Sequence, residues 1–132
     1  MPITYRIDSV GKRILTTVAG PVTVDDIVSH IGDIHRLRPE AYPALVDTRE
    51  VTGPFLSASD IWRAASLTRV FREQGDFPPC AIVAENELIY GLVRMFENLV
   101  SDFVNLKVFR DVEAAEKWLA NPIRDEEMNP AG

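Results

Sequence analysis

The residues of this 132-residue sequence that could do chemistry are few, and two histidines and one cysteine come first. His30 and His35 lie in one predicted helix, where a spacing of five residues turns their side chains roughly 140° apart, so they cannot bind the same metal ion. Cys80 begins an apolar run that predicts a buried strand, and a buried thiol is unreactive. The sequence has no zinc-ligand spacing, no phosphate-binding glycine loop and no nucleophile elbow. We therefore expect no catalytic residue, no metal and no cofactor, and a structural role for these three side chains.

A second group of candidates is polar and consists of Asp47, Arg49 and Ser57. Asp47 and Arg49 follow the apolar run Ala44–Val46, which predicts a short parallel strand, and Ser57 begins the next helix. Ligands of parallel sheets collect at the carboxyl ends of the strands, and the free N–H groups of a helix start can receive a phosphate or a carboxylate. The alternative is that Asp47 and Arg49 pair or hydrogen-bond the loop, and that Ser57 caps the helix. We favour this structural alternative for each residue.

The third predicted helix, Glu87–Phe103, carries an apolar arc that approaches half of its circumference. A helix packed only on a sheet needs a stripe on the order of 100° wide, so the additional width must contact something else. One stripe is predicted to lie in the core: Leu88, Leu92, Met95 and Leu99. A second stripe of this helix forms the predicted contact surface: Ile89, Val93, Phe96 and Val100. Two residues of the second helix that lie outside its main apolar arc, Trp62 and Val70, belong to the same predicted surface. We expect the second stripe to be partly uncovered or covered by a second copy of the chain, with a neighbouring helix as the commonest alternative.

The elements that position these residues alternate along the chain. Ile3–Asp8 alternates apolar and polar residues and Arg13–Val18 is rich in β-branched residues, so the chain is predicted to open with a β-hairpin. A helix capped by Thr23 follows, and helices then alternate with short apolar strands, of which Cys80–Ala84 is the best candidate for a central strand. Strands that alternate with helices imply crossover connections. The predicted fold class is α/β, a mixed and mostly parallel sheet of about five strands with four helices.

Composition limits the class of partner. The 14 Lys and Arg residues against 20 Asp and Glu residues give a net charge of −6 and a sequence pI near 4.9, which disfavours binding to nucleic acid or to an anionic membrane. The apolar stretches are too short to span a bilayer, and the N-terminus has no signal-peptide pattern. We expect a cytoplasmic protein with one domain over residues 1–120. Residues 121–132, acidic and without apolar periodicity, are predicted to form a disordered tail.

Three segments resemble a known family. They are AGPVTVDDIVSHI, ALVDTREVTG, and the pair AIVAENELIYGLVRMFE with VFRDVEAAEKWL. Together with the opening hairpin they are similar to the SpoIIAA-like group of the STAS superfamily (sulfate transporter and anti-sigma factor antagonist), and to small bacterial proteins described as STAS-like or CRAL-TRIO-like. The resemblance covers roughly residues 3–120 and implies a domain without enzymatic activity.

The resemblance implies two kinds of function. Some STAS domains are switched by phosphorylation of a Ser at a helix start within a run close to Asp-Ser-Ser-Gly; here the helix begins PFLSASDIW, and Ser57 alone could correspond. The CRAL-TRIO-like likeness implies an apolar ligand pocket or transient membrane contact. We therefore predict a non-enzymatic module that binds an apolar small molecule, a lipid or a protein partner, with a homodimer as one form of partner. A phospho-regulated interaction domain is the alternative.

Overall fold

The computed structural model describes residues 2–36 and 42–121 of the chain. The strands are β1 (Ile3–Asp8), β2 (Arg13–Gly20), β3 (Ala44–Val51), β4 (Cys80–Val83) and β5 (Leu106–Phe109). The helices are α1 (Val24–Arg36), α2 (Ala58–Arg72), α3 (Glu87–Val100) and α4 (Val112–Ala120). The predicted α/β fold class is therefore confirmed, with its N-terminal hairpin, five strands and four helices. The predicted tail falls outside the described residues, except for Asn121.

The strands lie in the sheet in the order in which they occur in the chain, β1-β2-β3-β4-β5. β1 pairs with β2 antiparallel, and the other neighbours pair parallel. Each parallel pair needs a crossover, and right-handed crossovers between successive neighbours bring their helices to the same face of the sheet. α1, α2 and α3 accordingly form one layer, whereas α4 packs against β3, β4 and β5 on the opposite face.

Alternate residues of the strands supply the two cores. On the α4 face, Leu45, Ala81 and Val83 pack against Ala115 and Leu119. The intervening residues of the same strands, such as Val46 and Ile82, point to the other face and pack against the layer of α1, α2 and α3. β4 is covered on both faces, in agreement with its prediction as a central strand.

Polar side chains fix where the helices begin. The Oγ of Ser57 accepts a hydrogen bond from Asp60 N at 3.1 Å, and the Asp60 carboxylate accepts one from Ser57 N at 3.0 Å, which is a capping box. Thr23 and Asp26 make the same reciprocal pair at α1. The caps predicted at Thr23 and Ser57 are thus observed, and Asn86 and Asp111 cap α3 and α4 in the same way.

Four predicted ends of elements are wrong, and two of them differ only slightly: β2 ends at Gly20 instead of Val18, and β4 at Val83 instead of Ala84. β3 continues beyond Val46 to Val51, because it stays paired with β2 up to the last pair, Gly20 opposite Val51. The register of this pairing shifts between Thr17 and Ala19. α3 ends at Val100 instead of Phe103, and the N–H groups of Phe103 and Val104 both bond to Val100 O in a closing turn. Asp47 and Arg49 consequently lie within a strand rather than after one.

The two edges of the sheet differ. At β5, the outward N–H of Val108 donates to Oε1 of the buried Glu97 on α3 at 2.9 Å, so this backbone group of the edge strand is satisfied by a side chain. At β1, Ala19 N donates to Pro2 O, and in an antiparallel pair every second residue bonds to the neighbouring strand. The backbone N–H and C=O groups of Ile3, Tyr5 and Ile7 therefore point away from β2. Within the described residues no strand pairs with that side of β1.

Candidate functional site: an apolar cavity under three helices

A cavity of about 200 Å³ lies between the sheet and the layer of α1, α2 and α3. All five strands and all three helices contribute to its wall, with Val46 and Ile82 on the sheet side and Ile31, Ala64 and Val93 on the helix side. None of the described residues that line it is Asp, Glu, Lys or Arg. Small apolar cavities of this kind, about 150 Å³ in one engineered protein, stay dry and take up molecules such as benzene.

Two hydroxyl groups of the cavity wall are already engaged by backbone carbonyls. Thr48 Oγ1 donates to Val83 O at 2.7 Å, and Thr68 Oγ1 donates to Ala64 O at 2.7 Å. A hydroxyl has a single proton to donate, so neither threonine has a donor left for a ligand. The wall is therefore poorer in available hydrogen-bond donors than its residue types suggest.

His30 is the ionisable imidazole of the wall. Its Nε2 lies 3.3 Å from Thr16 Oγ1, and its ring centroid lies 5.7 Å from that of Tyr5. Burial lowers the pKa of His30 from 6.5, and the charge of Asp33 opposes the shift only in part. The imidazole is therefore neutral at pH 7, with one nitrogen that donates and one that accepts. Sequence reasoning gave His30 a structural role and missed its place in this wall.

The other predicted structural residues have the environments expected of them. Burial raises the pKa of the Cys80 thiol to about 12, so the thiolate that would act as a nucleophile does not form at neutral pH. His35 is buried between the rings of Phe71 and Phe77, with Nε2 3.2 Å from Gly75 O.

The predicted orientation of α3 is wrong. Ile89 and Val100, expected to be uncovered, are 7% and 0% exposed, whereas Leu88, expected in the core, is 52% exposed. The two apolar stripes are nearly equal in width, so the sequence did not show which one faces the sheet. Val93 and Phe96 are half-buried and line the cavity together with Ile89, so the predicted contact residues on α3 point inwards.

Trp62 and Val70 lie on the outer side of α2, 58% and 51% exposed. This agrees with their prediction as residues outside the main apolar arc of that helix. They do not line the cavity, so the structure separates them from Val93 and Phe96. Contact of Trp62 or Val70 with a partner stays a prediction.

The polar candidates are not brought together. Asp47 accepts hydrogen bonds from Arg49 Nε at 2.9 Å and Arg49 Nη2 at 2.8 Å, and this guanidinium lowers the pKa of Asp47. Both side chains line a second, more open groove of about 380 Å³ on the α4 face, beside Thr17 and Val112. Ser57 belongs to the helix layer on the other face, where its Oγ caps α2. The structural interpretation of all three residues agrees with these contacts.

Within residues 2–36 and 42–121, no helix has the length and apolar character that crossing a membrane requires. The same two ranges contain no group of three His, Cys, Asp or Glu side chains placed to bind a metal ion.

Comparison with known proteins assigns the fold to a family. The SpoIIAA-like family, as defined by its sequence profile, matches residues 13–120. The chain belongs to the SpoIIAA-like family. This confirms the resemblance to the STAS superfamily, and it covers every element except β1.

A solved structure shows the same architecture. An uncharacterised protein of the DUF3478 family from Shewanella loihica PV-4, with a SpoIIAA-like fold, superposes with a TM-score of 0.55. The two sequences are 21% identical, and the match covers 89% of this chain and 91% of the Shewanella chain. At this identity the likeness extends to the fold alone. No curated protein matches the chain in sequence.

Proposed function

We propose that this SpoIIAA-like domain is a non-enzymatic, cytoplasmic binding module whose ligand is a small apolar molecule held in the cavity under α1, α2 and α3. The observation that carries the proposal is a space of about 200 Å³ whose described wall includes no permanently charged side chain. Close packing leaves few voids of this size in protein interiors, and filling one with an apolar molecule restores dispersion contacts.

The position of the cavity supports the same function. It lies against the parallel strands, and ligand sites of α/β proteins are concave, largely apolar and bounded by few polar groups. The volume is below the roughly 300–1,000 Å³ of pockets for drug-sized ligands. A single aromatic ring or a short alkyl chain fits this space better than a whole lipid.

The phospho-regulated alternative receives less support from the contacts of Ser57. Its Oγ is committed to Asp60 N, and the Asp60 carboxylate lies 3.0 Å from Ser57 N, where a phosphate would meet a like charge. Asp47 and Arg49 lie on the other face of the sheet and form a pair of their own. A phosphate on Ser57 therefore lacks a cation from this pair to bind it.

Toluene binding to the purified protein, followed by the chemical shifts of cavity residues in NMR spectra, tests the proposal. Ala64→Leu adds a larger side chain to the cavity wall and should abolish binding. The matched control is Ala58→Leu at an exposed position of the same helix, which should bind like the parent. Trp62→Ala tests the outer side of α2.

Loss of toluene binding in Ala64→Leu, with Ala58→Leu and Trp62→Ala unchanged, supports the cavity. Loss in Trp62→Ala with Ala64→Leu unchanged would place the binding on the outer side of α2 instead. Absence of binding by the parent protein would refute the function. Thermal unfolding of each variant shows that it is folded before binding is compared.

A further inference from the structure

The geometry points to selection by charge: the cavity takes uncharged molecules and rejects charged ones, and where an uncharged ligand carries a hydrogen-bonding group, His30 is the residue that recognises it. The inference rests on the proposed function, because it names the class of ligand for the same cavity. It goes further in assigning a specificity-determining residue.

The wall cannot satisfy an anion. A buried carboxylate needs several strong donors, and the hydroxyl protons of Thr48 and Thr68 are used by Val83 O and Ala64 O. Cys80 offers only a neutral thiol, which is a weak donor. No Lys or Arg lies among the described lining residues. A carboxylate in this space would be left without the partners that its burial requires.

The wall cannot satisfy a cation either. No Asp or Glu lies among the described lining residues. Asp33, the carboxylate whose charge acts on His30, accepts a hydrogen bond from Arg36 on the exposed part of α1. An ammonium group in the cavity would lose its hydration without gaining a counter-charge. Both signs of charge are therefore excluded by the same wall.

His30 can serve one neutral polar group. The ring lies half-buried in the wall, with the buried hydroxyl of Thr16 3.3 Å from Nε2. Thr16 itself does not line the cavity, so its hydroxyl serves only to engage one nitrogen of the ring. The second nitrogen of a neutral imidazole can donate to or accept from a ligand hydroxyl or carbonyl, according to the tautomer. The rest of the described wall is apolar or already bonded, which makes His30 the residue where a ligand's polar atom finds a partner.

Four probes with one ring and different substituents separate these possibilities: toluene, benzyl alcohol, benzoate and benzylammonium, each titrated at pH 7.5. We expect toluene and benzyl alcohol to bind, and benzoate and benzylammonium to bind at least about tenfold more weakly than benzyl alcohol. His30→Leu should weaken benzyl alcohol about tenfold and change toluene by less than about threefold. His30→Gln keeps a donor and an acceptor and should recover part of the affinity for benzyl alcohol.

The outcomes distinguish this inference from the function on which it rests. If none of the four probes binds, the ligand-binding function fails and the inference fails with it. If toluene binds but benzoate or benzylammonium binds as tightly as benzyl alcohol, the function stands and selection by charge is overturned. Equal weakening of toluene and benzyl alcohol by His30→Leu would overturn the role of His30. The comparison of the four probes uses the parent protein and does not depend on any variant folding.

Discussion

The hydrogen bonds that individual side chains already make decide which polar residues of this chain remain available to a ligand. Ser57 is taken by the capping box, Asp47 by Arg49, and Thr48 by a carbonyl of β4. His30 differs, because its ring lies in an apolar wall with one buried hydroxyl beside it. Sequence reasoning identified the cap and the ion pair, since these contacts join residues two or three apart in the chain. It missed His30, whose partners lie 14 or more residues away.

We predict that His30 makes stability depend on pH. Burial lowers its pKa below 6.5 in the folded protein, so below about pH 6.5 the unfolded chain binds more protons at this residue than the folded one does. Stability should therefore fall as the pH decreases through this range, although the charge of Asp33 on α1 reduces the effect. The ring also faces Tyr5 and Thr16. Urea unfolding at pH 7.5 and 5.5 should show a smaller loss for His30→Gln than for the parent. An equal loss in both proteins would contradict the assignment.

We predict that Ser57 acts through its cap. Ser57→Ala should lower the free energy of unfolding by roughly 0.5–2 kcal/mol, because Asp60 N loses its acceptor. Ser57→Asn provides the control, since asparagine caps helices as well as serine does. Denaturant unfolding measures both variants. Phosphate found on Ser57 in protein from its native host, together with partner binding altered by Ser57→Asp, would instead favour the phospho-regulated alternative.

At the scale of elements, the sequence predicted which segments are helices and strands better than which side of each is buried. Turn residues and N-caps act on neighbouring residues in the sequence, so they indicate where each of the nine elements in the described part of the chain begins or ends. The buried side of α3 depends on contacts that are distant in sequence. Glu97 lies on that side because its carboxylate binds the N–H of Val108 on β5. Glutamate is seldom buried without a partner, so this orientation follows only once β5 is placed beside α3.

The orientation of α3 is tested by two adjacent residues. Ile89→Ala should cost about 2–5 kcal/mol of stability, because Ile89 packs in the buried cluster with Ala84 and Val108. Leu88→Ala, at a position 52% exposed, should cost less than about 0.5 kcal/mol. Equilibrium unfolding in urea compares the two. The reverse ranking would restore the orientation that the sequence had suggested.

At the scale of the whole molecule, the sheet is covered asymmetrically, and the apolar cavity lies on the face that carries three helices. Three helices span one face, and the space between them and the strands is incompletely filled. On the other face α4 packs closely on β3, β4 and β5, with Val83, Ala115 and Leu119 almost fully buried. The class of fold was predictable from the alternation of elements. The cavity was not, because it depends on how closely side chains from eight separate elements approach one another.

The covered edge at β5 is tested by replacing Glu97. Glu97→Gln keeps an acceptor for Val108 N and should behave like the parent protein in sedimentation velocity experiments. Glu97→Leu removes the acceptor, so it should lower stability by about 1–3 kcal/mol and leave the backbone of β5 open to another strand. We expect this variant to form species larger than a dimer at high concentration. A variant that sediments as the parent does would show that β5 is protected by something other than this carboxylate.

Glu97 thereby determines how many neighbours one sheet could accept. In the language of polymer chemistry, a unit with one reactive end can only couple once, whereas a unit with two can propagate. With the outward N–H of Val108 already bonded at β5, β1 is the edge strand of the described residues whose outer backbone groups have no strand beside them. If two copies pair through β1, we expect the assembly to end there, because the bonded N–H of Val108 disfavours addition of a further strand at β5.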